Sequence, residues 1–131
     1  MVARVSEKGH GMDDGLKLGA RLLLAGLFVA GAAQKLLQPE VVEGLLAGIG
    51  MPGWLVWPAL LFNTLAAGAL LLGMAVRPVA LALAAYCGMT SLFHFIPGDG
   101  WQMSIFVKNW AIAGGHLALA SAGPGRFALG R

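Results

Sequence analysis

The sequence predicts an all-α integral membrane protein: a four-helix bundle with a short interfacial helix between helices one and two. Three observations predict it. Charged residues make up 11% of the chain and hydrophobic ones 58%, where a soluble domain carries about 25% charged residues. The mean hydropathy is +0.76. Three long stretches, Gly44 to Val76, Pro78 to Gly98 and Asn109 to Gly125, hold no charge at all. A helix that crosses a bilayer needs roughly 20 mainly apolar residues, so 131 residues suit four such helices and leave no room for a second, soluble domain. The bilayer is the expected partner, and nucleic acid is not.

Residues 1–15 are mixed and polar (Arg4, Glu7, Lys8, His10, Asp13, Asp14). A cleavable signal peptide would reach its apolar core sooner, so they are expected to form a short cytoplasmic tail, with residues 16–131 as one membrane domain. Helix one is expected over about Leu16–Leu37, with Arg21 near its start, able to reach the headgroups, and Gln34 and Lys35 near its end. Gly19, Gly26, Ala30 and Ala33 recur at spacings of seven, four and three, a pattern that lets a neighbouring backbone come close. Pro39 to Gly50 is too short to cross. Glu40 and Glu43 share one side and Val42, Leu45, Leu46 and Ile49 another, as in a helix lying over the bundle. Pro39 suits its first turn, and Gly50-Met51-Pro52-Gly53 stops it.

Helix two is expected over about Trp54–Met74, with Trp54 and Trp57 at the interface and Asn63 as its one strongly polar side chain near mid-membrane. After the turn at Val76-Arg77-Pro78, helix three runs to about Phe95. Cys87, Thr90 or Ser91, and His94 give it a mildly polar face. Pro97-Gly98-Asp99-Gly100 is a turn. Helix four follows from about Trp101 to Ala122 and ends at Gly123-Pro124-Gly125. Its residues Gln102, Asn109 and His116, spaced by seven, fall on one side of a helix of 3.6 residues per turn. Such a stripe must face protein or a wet cavity, because lipid offers it no hydrogen-bond partner.

Charge sets the orientation. Four crossings put both termini and the Arg77 loop on one side with Arg4, Lys8, Lys17, Arg21, Arg126 and Arg131, against Lys35 and Lys108 on the other. The positive-inside bias assigns both termini to the cytoplasm. Lys35, Glu40, Glu43, His94, Trp101 and Gln102 then lie near the outer surface, with Lys108 and Asn109 roughly 9–10 Å deeper than Gln102. Asn63 lies at a similar depth. Together they suggest an outward-facing pocket with a cationic floor, in which Lys108 pairs with Glu40 or Glu43 or meets an anionic or carbonyl ligand. The plainer readings are that Lys108 lifts its ammonium to the headgroups and that Asn63, Gln102 and Asn109 stitch helices together. The candidate ligand-binding residues are Lys35, Asn63, His94, Trp101, Gln102, Lys108 and Asn109, and Trp101, Phe106 and Trp110 could flank a flat ring.

Other chemistries are excluded. Cys87 is the single cysteine, and a dithiol oxidoreductase needs a pair. His94 and His116 lie at different depths and do not suit one haem, and no Cys/His cluster offers a metal site. Neither haem, metal nor flavin is expected.

The chain resembles the DoxX family of small four-helix membrane proteins from about Leu18 to Gly130. The likeness rests on Arg21, Gly31-Ala32-Ala33-Gln34-Lys35, Gly48-Ile49-Gly50-Met51-Pro52, and Ala67-Gly68-Ala69-Leu70-Leu71-Leu72-Gly73 followed by Arg77. It continues with His94, Phe106-Val107-Lys108-Asn109, Gly114-Gly115 and Gly123-Pro124-Gly125-Arg126. The family usually carries a Glu in helix two just before the Gly-rich stretch; this chain has Asn63 there, which removes a candidate acid. The resemblance implies a membrane subunit associated with redox enzymes, thiosulfate:quinone oxidoreductase among them. The expected function is an inner-membrane subunit that holds a quinone or similar small ring compound, with His94 and Lys108 on its carbonyl oxygens and a soluble redox enzyme as partner. Without an electron carrier of its own it would bind rather than catalyse. The alternative is a small-solute transporter or a scaffold with no redox role. A homo-oligomer built on the small-residue faces suits either reading.

Overall fold

A computed structural model describes residues 2–130, with side chains from Gly11 onward. The side chains of Arg4, Glu7, Lys8 and His10, and all of Arg131, lie outside the described residues. Among the described residues five α-helices make up the fold: α1 (Val2–Leu37), α2 (Pro39–Gly48), α3 (Val56–Leu72), α4 (Val76–Ser91) and α5 (Gly100–Ala122). Short 3-10 turns at Gly53–Leu55 and Leu92–His94 lead into α3 and out of α4. Among the described residues three segments are long and apolar enough to cross a membrane: Gly11–Leu37, Gly53–Leu72 and Val76–His94. The fourth long helix, α5, has 23 residues and is less apolar than these three.

Helix α1 continues where the sequence suggested a separate tail. With no proline or side-chain cap to start it at Leu16, the 36-residue helix spans about 54 Å, more than a bilayer's ~30 Å hydrocarbon core. Pro39, at the first position of α2, has no N–H to lose there and sets the new helix going after the break at Gln38. Helix α2 lies across one end of the bundle, with Leu46 buried and Glu40 exposed. The stem of Glu43 packs on Gly53, where a Cβ would come within 3.3 Å of it. Asp99 caps α5 by accepting hydrogen bonds from the Trp101 and Gln102 N–H groups at 3.0 and 3.2 Å.

Helix α1 packs chiefly on α3, and α4 on α5. The core between the pairs is built from Ala25, Phe28, Ala67, Leu70, Leu83, Ala84, Cys87, Ala113 and Leu119. Its many alanines let backbones approach closely, and such contact is what holds helices together where lipid is as apolar as the side chains. The small-residue pattern of α1 faces the other way. A Cβ added at Gly19 or Gly26 would meet no neighbouring atom within 4 Å, and Ala30 and Ala33 are exposed. The inward side of α1 is instead Arg21, Ala25 and Phe28, continuing to the half-buried Gly31 and Lys35.

Arg21 is the largest correction. It does not reach for headgroups: it is fully buried and closes one end of the bundle. The last four carbonyls of α3 have no partner within the helix, and each finds one elsewhere. Ala69 accepts from the Gly73 and Met74 N–H groups. Arg21 Nε donates to the Leu70 carbonyl at 2.7 Å and Nη2 to that of Leu71 at 3.0 Å. Leu72 accepts from the Leu129 N–H at 3.0 Å. The other arm of the guanidinium, Nη1, donates to the Phe127 and Pro124 carbonyls at 2.6 and 3.2 Å. The chain after α5 is therefore folded back under α3, where Met74 and Gly130 form an isolated bridge. Gly73 makes room: its φ is +76°, and a Cβ there would meet Ala128 at 2.5 Å and Arg21 Nη2 at 2.7 Å.

Arg21→Met should lower stability by at least about 2 kcal/mol, because it strips the charged donor from several buried carbonyls at once. Arg21→Lys should recover only part of that loss, since one ammonium cannot span the fork. Gly73→Ala should destabilise through the tail. Thermal unfolding of the detergent-solubilised chain, with proteolysis of the residues after Ala122 as a local readout, checks all three.

Candidate functional site

Six of the seven candidate residues fall into three groups, and Asn109 lies apart from them on the half-buried stripe of α5. His94 and Gln102 meet across the α4–α5 connection, with His94 Nδ1 2.6 Å from Gln102 Oε1. The amide oxygen only accepts, so this ring nitrogen carries the proton. Trp101 and Lys108 form a second pair on the outside of α5. Both are exposed, and the Lys108 ammonium lies 5.8 Å from the centre of the Trp101 ring. Lys108 is thus not the floor of an internal pocket: one residue before the inward stripe, it points about 100° away from Asn109. The stripe itself faces inward. Gln102 and Asn109 are half-buried, and His116 is fully buried.

Lys35 and Asn63 form the third group, and it is the most unusual chemically. Asn63 is 1% exposed at the α1–α3 contact. Its Oδ1 accepts a long hydrogen bond, 3.5 Å, from the Tyr86 hydroxyl, while its Nδ2 donates to nothing among the described residues. Beside it Gly31, having no Cβ, leaves a gap of about that one atom's size. A Cβ built there would be 3.8 Å from Lys35 Nζ and 3.9 Å from Asn63 Oδ1. The gap is thus bordered by an ammonium on α1 and an amide on α3, with the Tyr86 phenol of α4 bonded to that amide. Lys35 is half-buried and reaches this place from the last turn of α1.

Aromatic rings line the seam below. Tyr86 packs on Phe62 at 5.2 Å and on Phe28 at 6.2 Å between ring centres, and Phe28 meets the His116 ring edge-on at 5.4 Å. His116 Nδ1 donates to the Ile112 carbonyl at 2.9 Å, which leaves Nε2 buried without a partner among the described residues. The hydroxyls of Thr90 and Ser91 on α4 have found partners in their own helix. Thr90 Oγ1 donates to the Tyr86 and Cys87 carbonyls and Ser91 Oγ to that of Gly88. Polar atoms left over in the seam therefore belong to Asn63 and His116.

Sequence reasoning missed Tyr86 and Gly31. Tyr86 is the single tyrosine of the chain and sits in a charge-free span, which is a signal, since a buried phenol needs a partner. Gly31 stands out in the sequence only as part of a longer run of small residues. Its role shows once α3 is set against α1.

In chemical terms the group offers donors in excess: an ammonium and an amide N–H pair without an acceptor among the described residues, the Tyr86 phenol being already bonded to Asn63 Oδ1. Such a set complements a carbonyl or anionic oxygen, and a charged donor makes the stronger bond. Comparison with known proteins agrees with the resemblance. The DoxX family model matches residues 16–95, more than half of the chain. The chain is also 31% identical to Inner membrane protein YqjF of Escherichia coli (strain K12) over 121 residues, 92% of this chain and 93% of the relative. No solved structure matches it. With the family model covering all of α2, α3 and α4 and the relative nearly the whole length, the chain belongs to the DoxX family.

Proposed function

We propose that this chain is an inner-membrane subunit that holds a quinone, or a similar ring compound bearing a carbonyl oxygen, at the Gly31–Lys35–Asn63 gap. The observation that carries the reading is the buried Asn63 Nδ2, which has no acceptor among the described residues although a free donor of this kind costs about 1–3 kcal/mol. A guest oxygen in the gap would accept from Nδ2 and from the Lys35 ammonium, and the rings of Phe62 and Tyr86 offer it an apolar wall. Electrons would come from a soluble redox enzyme that carries the flavin or metal, so the subunit positions the ring and does not itself transfer charge.

The orientation rests on two supports. The first part of α1 and the chain after α5 meet at one end, where the Arg126 N–H donates to Asp14 Oδ1 at 3.2 Å. Antiparallel α1, α3, α4 and α5 bring them there if α5 also crosses, and its 23 residues span about 34 Å. The sequence bias of seven cations to two favours that end as the cytoplasmic one, with the gap nearer the other side. The relative's description as an inner membrane protein favours that membrane for this chain too.

Solvent extraction of the purified chain should recover a membrane quinone from the wild type. Lys35→Met and Asn63→Leu should each reduce recovery at least about tenfold, the worth of one lost charge-assisted or buried bond. Lys108→Met should leave it unchanged, because that side chain lies outside the bundle. No ring compound in the wild type would favour the transporter or scaffold reading. A second outcome separates binding from folding. Asn63→Leu made together with Tyr86→Phe, so that no phenol loses its acceptor, should raise the thermal stability of the ligand-free chain by about 1 kcal/mol, since it removes an unpaired buried donor.

A further inference from the structure

At the opposite end from the gap, an open cleft of about 530 Å³ lies where α1, the start of α4 and the chain after α5 come together. Each element brings a cation: Lys17, Arg77 and Arg126 line it, facing Asp13 and Asp14. Arg126 already lies against the Phe127 ring, 5.0 Å from its centre. One acid is also engaged, because Asp14 Oδ1 accepts from the Arg126 backbone N–H. Two glycines shape the walls. A Cβ at Gly123 would come within 3.0 Å of Arg77 Nη2, and one at Gly125 within 3.2 Å of Asp14 Oδ1 and 3.3 Å of Lys17 Cβ. Both have positive φ, +84° and +76°, so the turn that admits the Arg77 guanidinium needs a residue free to adopt that backbone. Helix α4 starts at Val76 with no side-chain cap, one residue before Arg77, so its positive dipole end is close in sequence to that cation.

We propose that this cleft binds a phosphate-bearing anion, with Lys17 and Arg77 as its principal contacts. A tetrahedral phosphate matches the donors here: a planar guanidinium held against backbone, and a flexible ammonium one helix away. Set at the end of a bundle of membrane helices, the cleft is where the phosphate of an anionic lipid headgroup would lie, and a soluble phosphate compound carries the same chemistry. The proposal is independent of the gap at Gly31, which lies toward the other end.

The test uses the full chain in neutral detergent, with thermal unfolding followed against added phosphatidylglycerol, phosphatidylcholine or inorganic phosphate. Phosphatidylglycerol should raise the unfolding temperature and phosphatidylcholine should not, and the double variant Lys17→Gln/Arg77→Gln should weaken the apparent affinity about 30-fold. A comparable rise with inorganic phosphate, lost in the same variant, supports the site and makes a soluble anion its occupant. Asp13→Asn, which removes a repelling charge, should tighten binding about 5-fold. That arm decides the matter if the double variant does not fold. Equal response to the two lipids, no response to any phosphate compound, or an unchanged response in the double variant and in Asp13→Asn would overturn the proposal.

Discussion

One buried guanidinium holds the closed end of this molecule together. Among the described residues Arg21 bonds to no carboxylate; it is satisfied by four backbone carbonyls, two from α3 and two from the chain after α5. Burying a cation is costly unless hydrogen bonds replace its water, and a helix C-terminus is a ready source of acceptors with a favourable dipole. The arrangement answers two needs together. The charge finds acceptors, and the last turn of α3 finds donors. It also couples segments about 100 residues apart in sequence, so the tail after α5 is part of the fold.

That coupling gives a physical meaning to several of the residues on which the resemblance rests. Arg21, the Leu70-Leu71-Leu72-Gly73 run and the Gly123-Pro124-Gly125-Arg126 segment are distant in the chain, yet they form one contact network. Arg77 joins it through the close approach of its guanidinium to Gly123. Much of the resemblance thus reports how the bundle is closed, which explains why it identifies the family firmly while saying little about chemistry. The segments that could carry chemistry, Gly31 to Lys35 and the position of Asn63, lie along the seam above this closure.

The helices were legible because their signals are local. Charge-free runs, Pro39, and the Pro97-to-Gly100 turn located every break between helices within a few residues. The inward stripe of Gln102, Asn109 and His116 was legible for the same reason, since a spacing of seven is a property of one helix. Which side of a helix faces its neighbours was less legible where both sides are apolar. Helix α1 carries small residues on one side and Phe28 on another, and composition alone favoured the small side. Arg21 and Lys108 exchanged the fates expected of them for a related reason. A basic residue near a helix end can lift its charge outward or find carbonyls inside, and only the distant tail decides. Of the candidate residues, Lys35 and Asn63 border the same gap at Gly31, His94 and Gln102 bond to each other, Trp101 and Lys108 pair outside, and Asn109 stays half-buried on the stripe of α5.

The two ends of the seam differ in one respect that bears on function. At the Arg21 end, donors and acceptors balance, and the result is rigidity. Toward Lys35, donors outnumber acceptors: an ammonium and an unpaired amide border a gap that a single missing Cβ leaves open. A bundle selected only for stability would fill that gap with an alanine and replace Asn63 and Tyr86 together with apolar residues of their size, since interhelical hydrogen bonds contribute on average only about 0.6 kcal/mol in a membrane. Asn63 gains even less than that from a 3.5 Å contact with Tyr86. Glue is therefore a poor account of it. An acceptor brought by a guest molecule would complete its hydrogen bonding, and the half-buried Lys35 beside it would make that acceptor's bond a charged one.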